Sequence, residues 1–246
     1  MINNHLLMSG EELKKTLDAE FLNSKNIIII ISPYITDPAI NEFITVIPEN
    51  MIVKIICRLL PLDAANGSCS ISALKKSIET NWQVYRLENL HAKLYSIDSN
   101  KIYAGSANAT GNGLKIHSEG NLEACFEVPA SLENNKFIDN IWQSASLLDM
   151  QTLINMEDHI KDNINTHKNN NNLDWPKEIL PENKSIWVYD FILLNKIDSV
   201  SFVNSRAVKW LIQKLEDAEN HELYYGKITQ YLHNDLKDDP LPYRSS

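Results

Sequence analysis

Residues 27–31 are five consecutive isoleucines, with Asn26 before them and Ser32 and Pro33 after. A β-branched apolar run of this length, closed by polar residues and proline, predicts a central strand over residues 26–32 buried on both faces. Upstream, Leu13, Leu17 and Phe21 recur at helical spacing and predict a helix over residues 11–21. Ser9 is its expected cap and Glu12, three residues on, the capping-box partner. Downstream, Pro38 opens a predicted helix at residues 38–47, and residues 51–60 form a second apolar strand. A helix at 71–80 and a strand at 82–87 follow. Strand, helix, strand, helix, strand predicts an α/β sheet with parallel neighbours.

From residue 91 the pattern changes. Residues 91–97, 101–105 and 121–128 predict short strands without long helices between them, and 132–148 and 150–164 predict helices. The polar, aperiodic run at 167–173 is expected to be a linker. It would separate a first domain, residues 1–166, from a C-terminal segment, residues 174–246. The segment carries an apolar stretch at 186–194 and an amphipathic helix with Ala207, Trp210, Leu211 and Leu215 on one face. That face is expected to be core or a dimer contact. A second helical run surrounds Ile228, Tyr231 and Leu232. No internal repeat is visible, and a chain ending near residue 166 is expected to keep the fold of the first domain.

Composition narrows the classes. Hydrophobic residues make up 43% and charged residues 22%, as in ordinary globular proteins. The formal net charge of -9 argues against a nucleic-acid binder that uses its whole surface, but not against a basic cleft on an acidic body. Cys57, Cys69 and Cys125 match no zinc spacing and read as reduced, partly buried thiols. Residues 1–15 lack the pattern of a signal peptide, and the apolar run at 27–31 is too short to span a bilayer. A cytoplasmic location without membrane contact is the expectation.

The candidate chemistry lies between His91 and Asn108. His91 and Lys93 are two apart on a predicted strand and leave one face. Residues 98–101, Asp-Ser-Asn-Lys, are rich in turn formers. With Ser99 and Asn100 as the central pair, Asp98 would face Lys101, Lys93 would face Ser106, and His91 would face Asn108. One face of this hairpin would then gather His91, Lys93, Ser106 and Asn108. Gly105 is expected where a side chain would crowd a ligand. Asn121 and Glu123, again two apart, are expected to bring a carboxylate to the cluster.

A phosphodiester needs a nucleophile, stabilisation of its non-bridging oxygens and a proton for the leaving oxygen. His91 is the candidate nucleophile once a neighbour fixes its tautomer, and Glu123 is the expected acceptor for its N–H. Lys93 would supply positive charge, and Ser106 and Asn108 neutral donors. Asp98 lies roughly 23 Å from His91 if the strand is extended, so a turn or salt-bridge role is expected. Lys115 and His117 are further candidates for substrate contact. Lys54, Arg58, Lys101 and Lys115 are candidates for a phosphate groove, though a solvated charge is the commoner role. His5, His159, His167, His221 and His233 read as surface or helix histidines. No carboxylate pair suits magnesium and no spacing suits zinc, so neither metal nor cofactor is expected.

The segment matches H-x-K-x4-D-x6-G-S-x-N at every fixed position and so resembles the signature of the phospholipase D superfamily. Asn121-Leu122-Glu123 resembles the acidic position downstream of the signature, and Ser32-Pro33-Tyr34 is similar to a segment of relatives with one motif copy. The resemblance spans about residues 9 to 150. It implies a phospholipase D-like α/β sandwich around a mixed central sheet, here with a small α-rich C-terminal segment. It also implies an active site built from two signatures, in which one histidine forms a phosphohistidine and the other protonates the leaving group, without metal. This chain carries one copy: His117 is followed by Glu119, and His159 and Lys161 lack the Gly-Ser partner. A single copy implies a homodimer with the two His91 residues facing each other.

The resemblance to single-copy bacterial members implies a nuclease acting on DNA or RNA, in restriction or phage defence, with residues 174–246 reserved for targeting or a protein partner. The alternatives are a phospholipid phosphodiesterase or phosphatidyltransferase, and a catalytically inactive nucleic-acid-binding module of a larger complex.

Overall fold

A computed structural model describes residues 7–117, 119–169, 174–180 and 206–235. The chain divides into two compact units, Met1–Asn183 and Lys184–Ser246.

The first unit is built on a seven-stranded sheet. In chain order its elements are α1 (Gly10–Asn23), β1 (Ile27–Ile31), α2 (Asp37–Val46), β2 (Ile52–Cys57), α3 (Pro61–Ala65), α4 (Ile71–Glu79), β3 (Gln83–Arg86), β4 (Leu94–Ile97), β5 (Lys101–Gly105), β6 (Cys125–Val128), α5 (Leu132–Gln143), β7 (Ser146–Leu148) and α6 (Met150–Asn169). The strand order is β6-β5-β4-β1-β2-β3-β7. Strands β1, β2 and β3 are parallel, and β4, β5, β6 and β7 each run antiparallel to the neighbour they extend. The sheet is mixed, as the motif implied. β1 lies at the centre, with a parallel strand on one side and an antiparallel one on the other.

The isoleucine run is buried because both of its faces are covered. Ile28 and Ile30 join Leu13, Leu17 and Phe21 of α1, Phe43 of α2 and Leu74 of α4 in one core. The opposite face of the sheet is covered by α5, whose buried Trp142 meets Tyr85 of β3 edge-on. Ser9 caps α1 in a reciprocal box with Glu12, and Phe21 meets Phe43 edge-on at 5.2 Å, worth about 1 kcal/mol beyond burial. Lys54 on β2 is 1% exposed, with its ammonium 3.0 Å from the centroid of the Trp142 ring. It is part of the packing under α5 and lines no groove. Cys57, Cys69 and Cys125 are free and buried.

Several boundaries differ from expectation. β2 ends at Cys57, because Leu59 turns to a φ of 42° and Pro61 starts a short helix. The expected long helix at 132–148 stops at Gln143, capped by the Ser144 N–H on Asn140 O, and β7 follows. The expected linker is in part helix, since α6 runs to Asn169 with one irregular residue, Asn163. Trp175 is 3% exposed and donates its indole N–H to Leu59 O at 2.6 Å, while Asp174 accepts from Arg86 at 2.7 Å. Residues 174–180 therefore pack on the first unit, and the division falls after Asn183 rather than at 166. Buried indole surface explains the difference.

The second unit contains α7 (Arg206–Glu216), a 3-10 turn at Glu219–His221 and α8 (Tyr225–Asp235). Trp210 is buried and its indole donates to Asp235 at 2.8 Å, where Lys214 also pairs at 2.9 Å. The expected Trp210 face is thus closed at least in part by α8. The apolar stretch at 186–194 lies outside the described residues.

Trp175→Ala is expected to destabilise the first unit by about 3 kcal/mol, read as a lower midpoint in urea. A chain ending at Asn183 is expected to unfold with the wild-type midpoint of that unit, whereas one ending at residue 166 is expected to lose stability with Trp175.

Candidate active site

The site forms where the parallel strands end. In the β4–β5 hairpin Ile97 pairs with Lys101 and Leu94 with Ala104, so the loop has three residues, not two. The expected pairings of Lys93 with Ser106 and His91 with Asn108 are therefore off by one. Asp98 and Ser99 take φ of 52° and 56°, which turns the chain at once. The Asp98 carboxylate accepts from the backbone N–H groups of Lys25 at 2.8 Å, Asn26 at 2.8 Å and Ile27 at 3.0 Å. Asp98 has the expected turn role, with backbone donors in place of a salt-bridge partner. Lys101 pairs with Glu127 at 3.4 Å and Glu20 at 3.9 Å, which takes it out of any phosphate groove.

His91 and Lys93 lie in the extended segment before β4 and not on the strand itself. The Lys93 ammonium donates to His91 O at 2.8 Å. The His91 side chain is exposed, and among the described residues its imidazole makes no hydrogen bond. Partial burial lowers the Lys93 pKa below the ordinary lysine range. The nearby Arg58 guanidinium adds to this, and the Glu123 carboxylate opposes it.

After β5 the chain crosses to the end of β1. Ser106 donates its hydroxyl proton to Glu123 and accepts from Ala124 N–H at 3.0 Å. Asn121 donates to the other Glu123 oxygen at 3.1 Å. Glu123 is thus held by Ser106 and Asn121, and not by His91 as expected. Asn121 and Glu123 lie in a loop ahead of β6 rather than on a strand. Gly105 is needed for a different reason from the one expected: a Cβ there would stand 2.5 Å from Ala124 O and 2.6 Å from Cys125 Cα. The crowding comes from β6 and not from a ligand.

Asn108 is placed by the segment after β1. Its side-chain oxygen is 3.3 Å from Ser32 Oγ, which donates to Tyr34 O at 2.7 Å and accepts from Ala109 N–H at 3.0 Å. Thr36 completes the stitch by accepting from Gly111 N–H at 3.1 Å. Lys115 instead lies 3.8 Å from Glu11, and exposed His117 lies against Gly111. Neither is joined to the cluster by a hydrogen bond or ion pair among the described residues.

Arg58, one of several groove candidates from the sequence, acquires a defined place. Just past β2, it donates from Nε and Nη2 to Asp63 at 2.8 and 2.6 Å, and from Nη2 to the Tyr34 hydroxyl at 3.0 Å. The available signal was topological: it follows the strand beside the switch point of the sheet, where ligands of open α/β sheets bind. On the same edge, past β3, a cavity of about 760 Å3 is lined by Leu60, Arg86, Asn89, Ser146 and Lys177. Among the described residues no group of three His, Cys, Asp or Glu side chains is placed to hold a metal ion.

Residues 17–145, just over half of the chain, match the family model described as "Cardiolipin synthase, PLD-like domain". The chain belongs to the phospholipase D-like family. Members of this superfamily are phosphodiesterases and related hydrolases. Similar solved structures include NucT from Helicobacter pylori, 18% identical with a TM-score of 0.48 over 59% of this chain and 99% of that one. The phospholipase D family member Nuc from Salmonella typhimurium is 14% identical, TM-score 0.47, over 59% and 99%. Phosphatidylserine synthase from Haemophilus influenzae Rd KW20 is 17% identical, TM-score 0.46, over 67% and 46%. No curated protein matches the sequence.

Asp98→Asn removes charge from an acceptor that serves three backbone donors. It is expected to lower unfolding stability by about 1–3 kcal/mol while His91 and Lys93 keep their chemistry. Chemical denaturation checks the first part and turnover per folded molecule the second. For Lys93, lysine-selective NMR is expected to show titration below that of a fully solvated lysine. In Glu123→Gln the titration is expected to move lower still, because the carboxylate that favours the charged ammonium is gone.

Proposed function

We propose that the chain is a metal-independent nuclease that cleaves DNA or RNA through a phosphohistidine on His91, in a site shared by two copies of the chain. The observation that supports this most is the union of an intact signature with a single, unpartnered imidazole. Lys93, Asn108 and the Ser106–Glu123–Asn121 group converge on one edge of the sheet, yet among the described residues His91 has no orienting acceptor. A second copy brought up by a two-fold axis supplies both that environment and the second histidine.

In this mechanism the His91 imidazole nitrogen attacks phosphorus and the bond to the leaving oxygen breaks. The second copy's His91 gives its proton to that oxygen. The same histidine then takes a proton from water, which attacks phosphorus and breaks the P–N bond. Lys93 offsets charge on the non-bridging oxygens. Ser106, whose proton is committed to Glu123, contributes by holding that carboxylate. The location we propose is cytoplasmic, the context restriction or phage defence, and the role of the second unit targeting or a protein contact. No described helix is long and apolar enough to cross a membrane. A second reading, phosphatidyl transfer or phospholipid hydrolysis, is favoured by the cardiolipin synthase description of the matching family.

The deciding experiment incubates the purified chain in EDTA with single- and double-stranded DNA, RNA and phospholipid vesicles. Polynucleotide cleavage that persists in EDTA is expected. Activity that vanishes with chelation and returns with magnesium rejects the mechanism, and cleavage of vesicles alone selects the second reading. His91→Ala is expected to abolish turnover, and Lys93→Ala to lower it about a hundred- to a thousandfold. Light scattering is expected to show a dimer. Purified heterodimers of wild-type and His91→Ala chains are expected to be nearly inactive; half of the wild-type rate would show that each chain works alone.

A further inference from the structure

Arg58 is a cation at this edge that the proposed hydrolytic chemistry does not use. Its guanidinium has five N–H donors in a fixed plane. Nε and Nη2 are engaged with Asp63 and Tyr34, and among the described residues Nη1 makes no hydrogen bond. The Asp63 side chain is 4% exposed and also accepts from Leu60 N–H at 3.1 Å, so the fork that holds Arg58 is itself fixed. The Arg58 side chain keeps 21% of its surface in solvent. Tyr34 accepts from Arg58, which leaves its own O–H free to donate.

The location is as specific as the donor set. Arg58 N–H donates to Pro33 O at 3.3 Å, and Ser32, one residue earlier, contacts Asn108. A continuous chain of contacts thus runs Asn108, Ser32, Tyr34, Arg58, Asp63. The guanidinium also lies close enough to Lys93 for its charge to disfavour the ammonium. Two like charges within electrostatic reach repel, and an anion bound near both relieves that repulsion.

We infer that Arg58 and the Tyr34 hydroxyl form a second anion subsite, which binds the phosphate next to the one being cleaved in a polynucleotide. This deepens the nuclease reading and rests on it. A repeating polyanion presents a second phosphate beside the first, and the cavity past β3 lies on the same edge as Arg58. Lys93 then acts on the reacting phosphate and Arg58 on its neighbour.

The test compares two substrates in the full-length protein: bis(p-nitrophenyl) phosphate, a lone phosphodiester, and a short single-stranded oligonucleotide. Arg58→Gln is made alone and with Asp63→Asn, so that no buried carboxylate is left unpaired in the double variant. Tyr34→Phe removes only the hydroxyl. Thermal melts confirm folding. The ratio of kcat/KM on the oligonucleotide to that on the lone diester is expected to fall about tenfold, carried by KM. The dependence of log KM on log salt is expected to flatten by about 0.7, the loss of one single-strand phosphate contact. An unchanged ratio in a folded variant overturns the subsite, and so does an equal loss on both substrates. A wild-type protein that hydrolyses the lone diester or vesicles but no polynucleotide overturns the nuclease reading itself, and the subsite with it.

Discussion

The Asp98 carboxylate accepts three successive backbone N–H groups at the start of β1, and the alignment of the site depends on that junction. Asp98 also donates its own N–H to Ile27 O at 2.8 Å. Together these bonds lock the β4–β5 turn to the first residue of β1 and set the antiparallel register of Ile28 against Ile97. Side chains alternate along a strand, so a slip of one residue would carry the residues before β4 to the other face. At the opposite end of the same pair lie Lys93 and Ser32. A carboxylate that takes no part in the proposed chemistry thus fixes, through the length of two strands, where the proposed charge-stabilising lysine stands.

The polar groups at the working end differ in how completely they are partnered. Ser106, Glu123 and Asn121 hold one another, and Asn108 leans on Ser32. Groups held in this way keep their orientation without a ligand, which is what preorganisation requires. His91 is the exception, with an exposed ring and no acceptor among the described residues. An imidazole needs a partner to select the nitrogen that reacts. The contrast between a fixed surround and an unfixed imidazole is the physical basis for proposing that a second copy completes the site.

The strands and helices of the first unit were legible where the local pattern was unambiguous. The isoleucine run could be little else than a buried strand, and Ser9 with Glu12 marked the start of α1 by spacing alone. The signature residues could be picked out by spacing as a set, but their contacts could not. The β4–β5 register was misplaced because Asp98 adopts a positive φ and lengthens the loop. Glu123 was assigned to His91 because sequence shows proximity of types and not the competition of Ser106 and Asn121 for the same carboxylate. Trp175 was invisible as core because its partner, the Leu59 carbonyl, is distant in sequence. Arg58 could not be told from the other groove candidates until the fold put it one contact from Tyr34.

The acidity of the chain does not oppose a polyanionic substrate, because net charge and local field are different quantities. Most of the lysines whose contacts are described have carboxylates beside them: Lys14 with Asp18 and Glu42, Lys15 with Glu11, Lys75 with Glu157, and Lys101 with Glu127. Lys93 has no carboxylate within ion-pair distance among the described residues, and its ammonium rests on a backbone carbonyl. Arg58 is paired, but with an almost fully buried partner that leaves part of the guanidinium facing out. The formal charge of -9 is therefore carried on a body where several lysines are paired in place, while Lys93 and Arg58 both lie at the end of the sheet where β1 and β2 finish. A polyanion of the proposed kind would be repelled by most of such a surface and attracted at this edge, which selects for a bound geometry as well as for affinity.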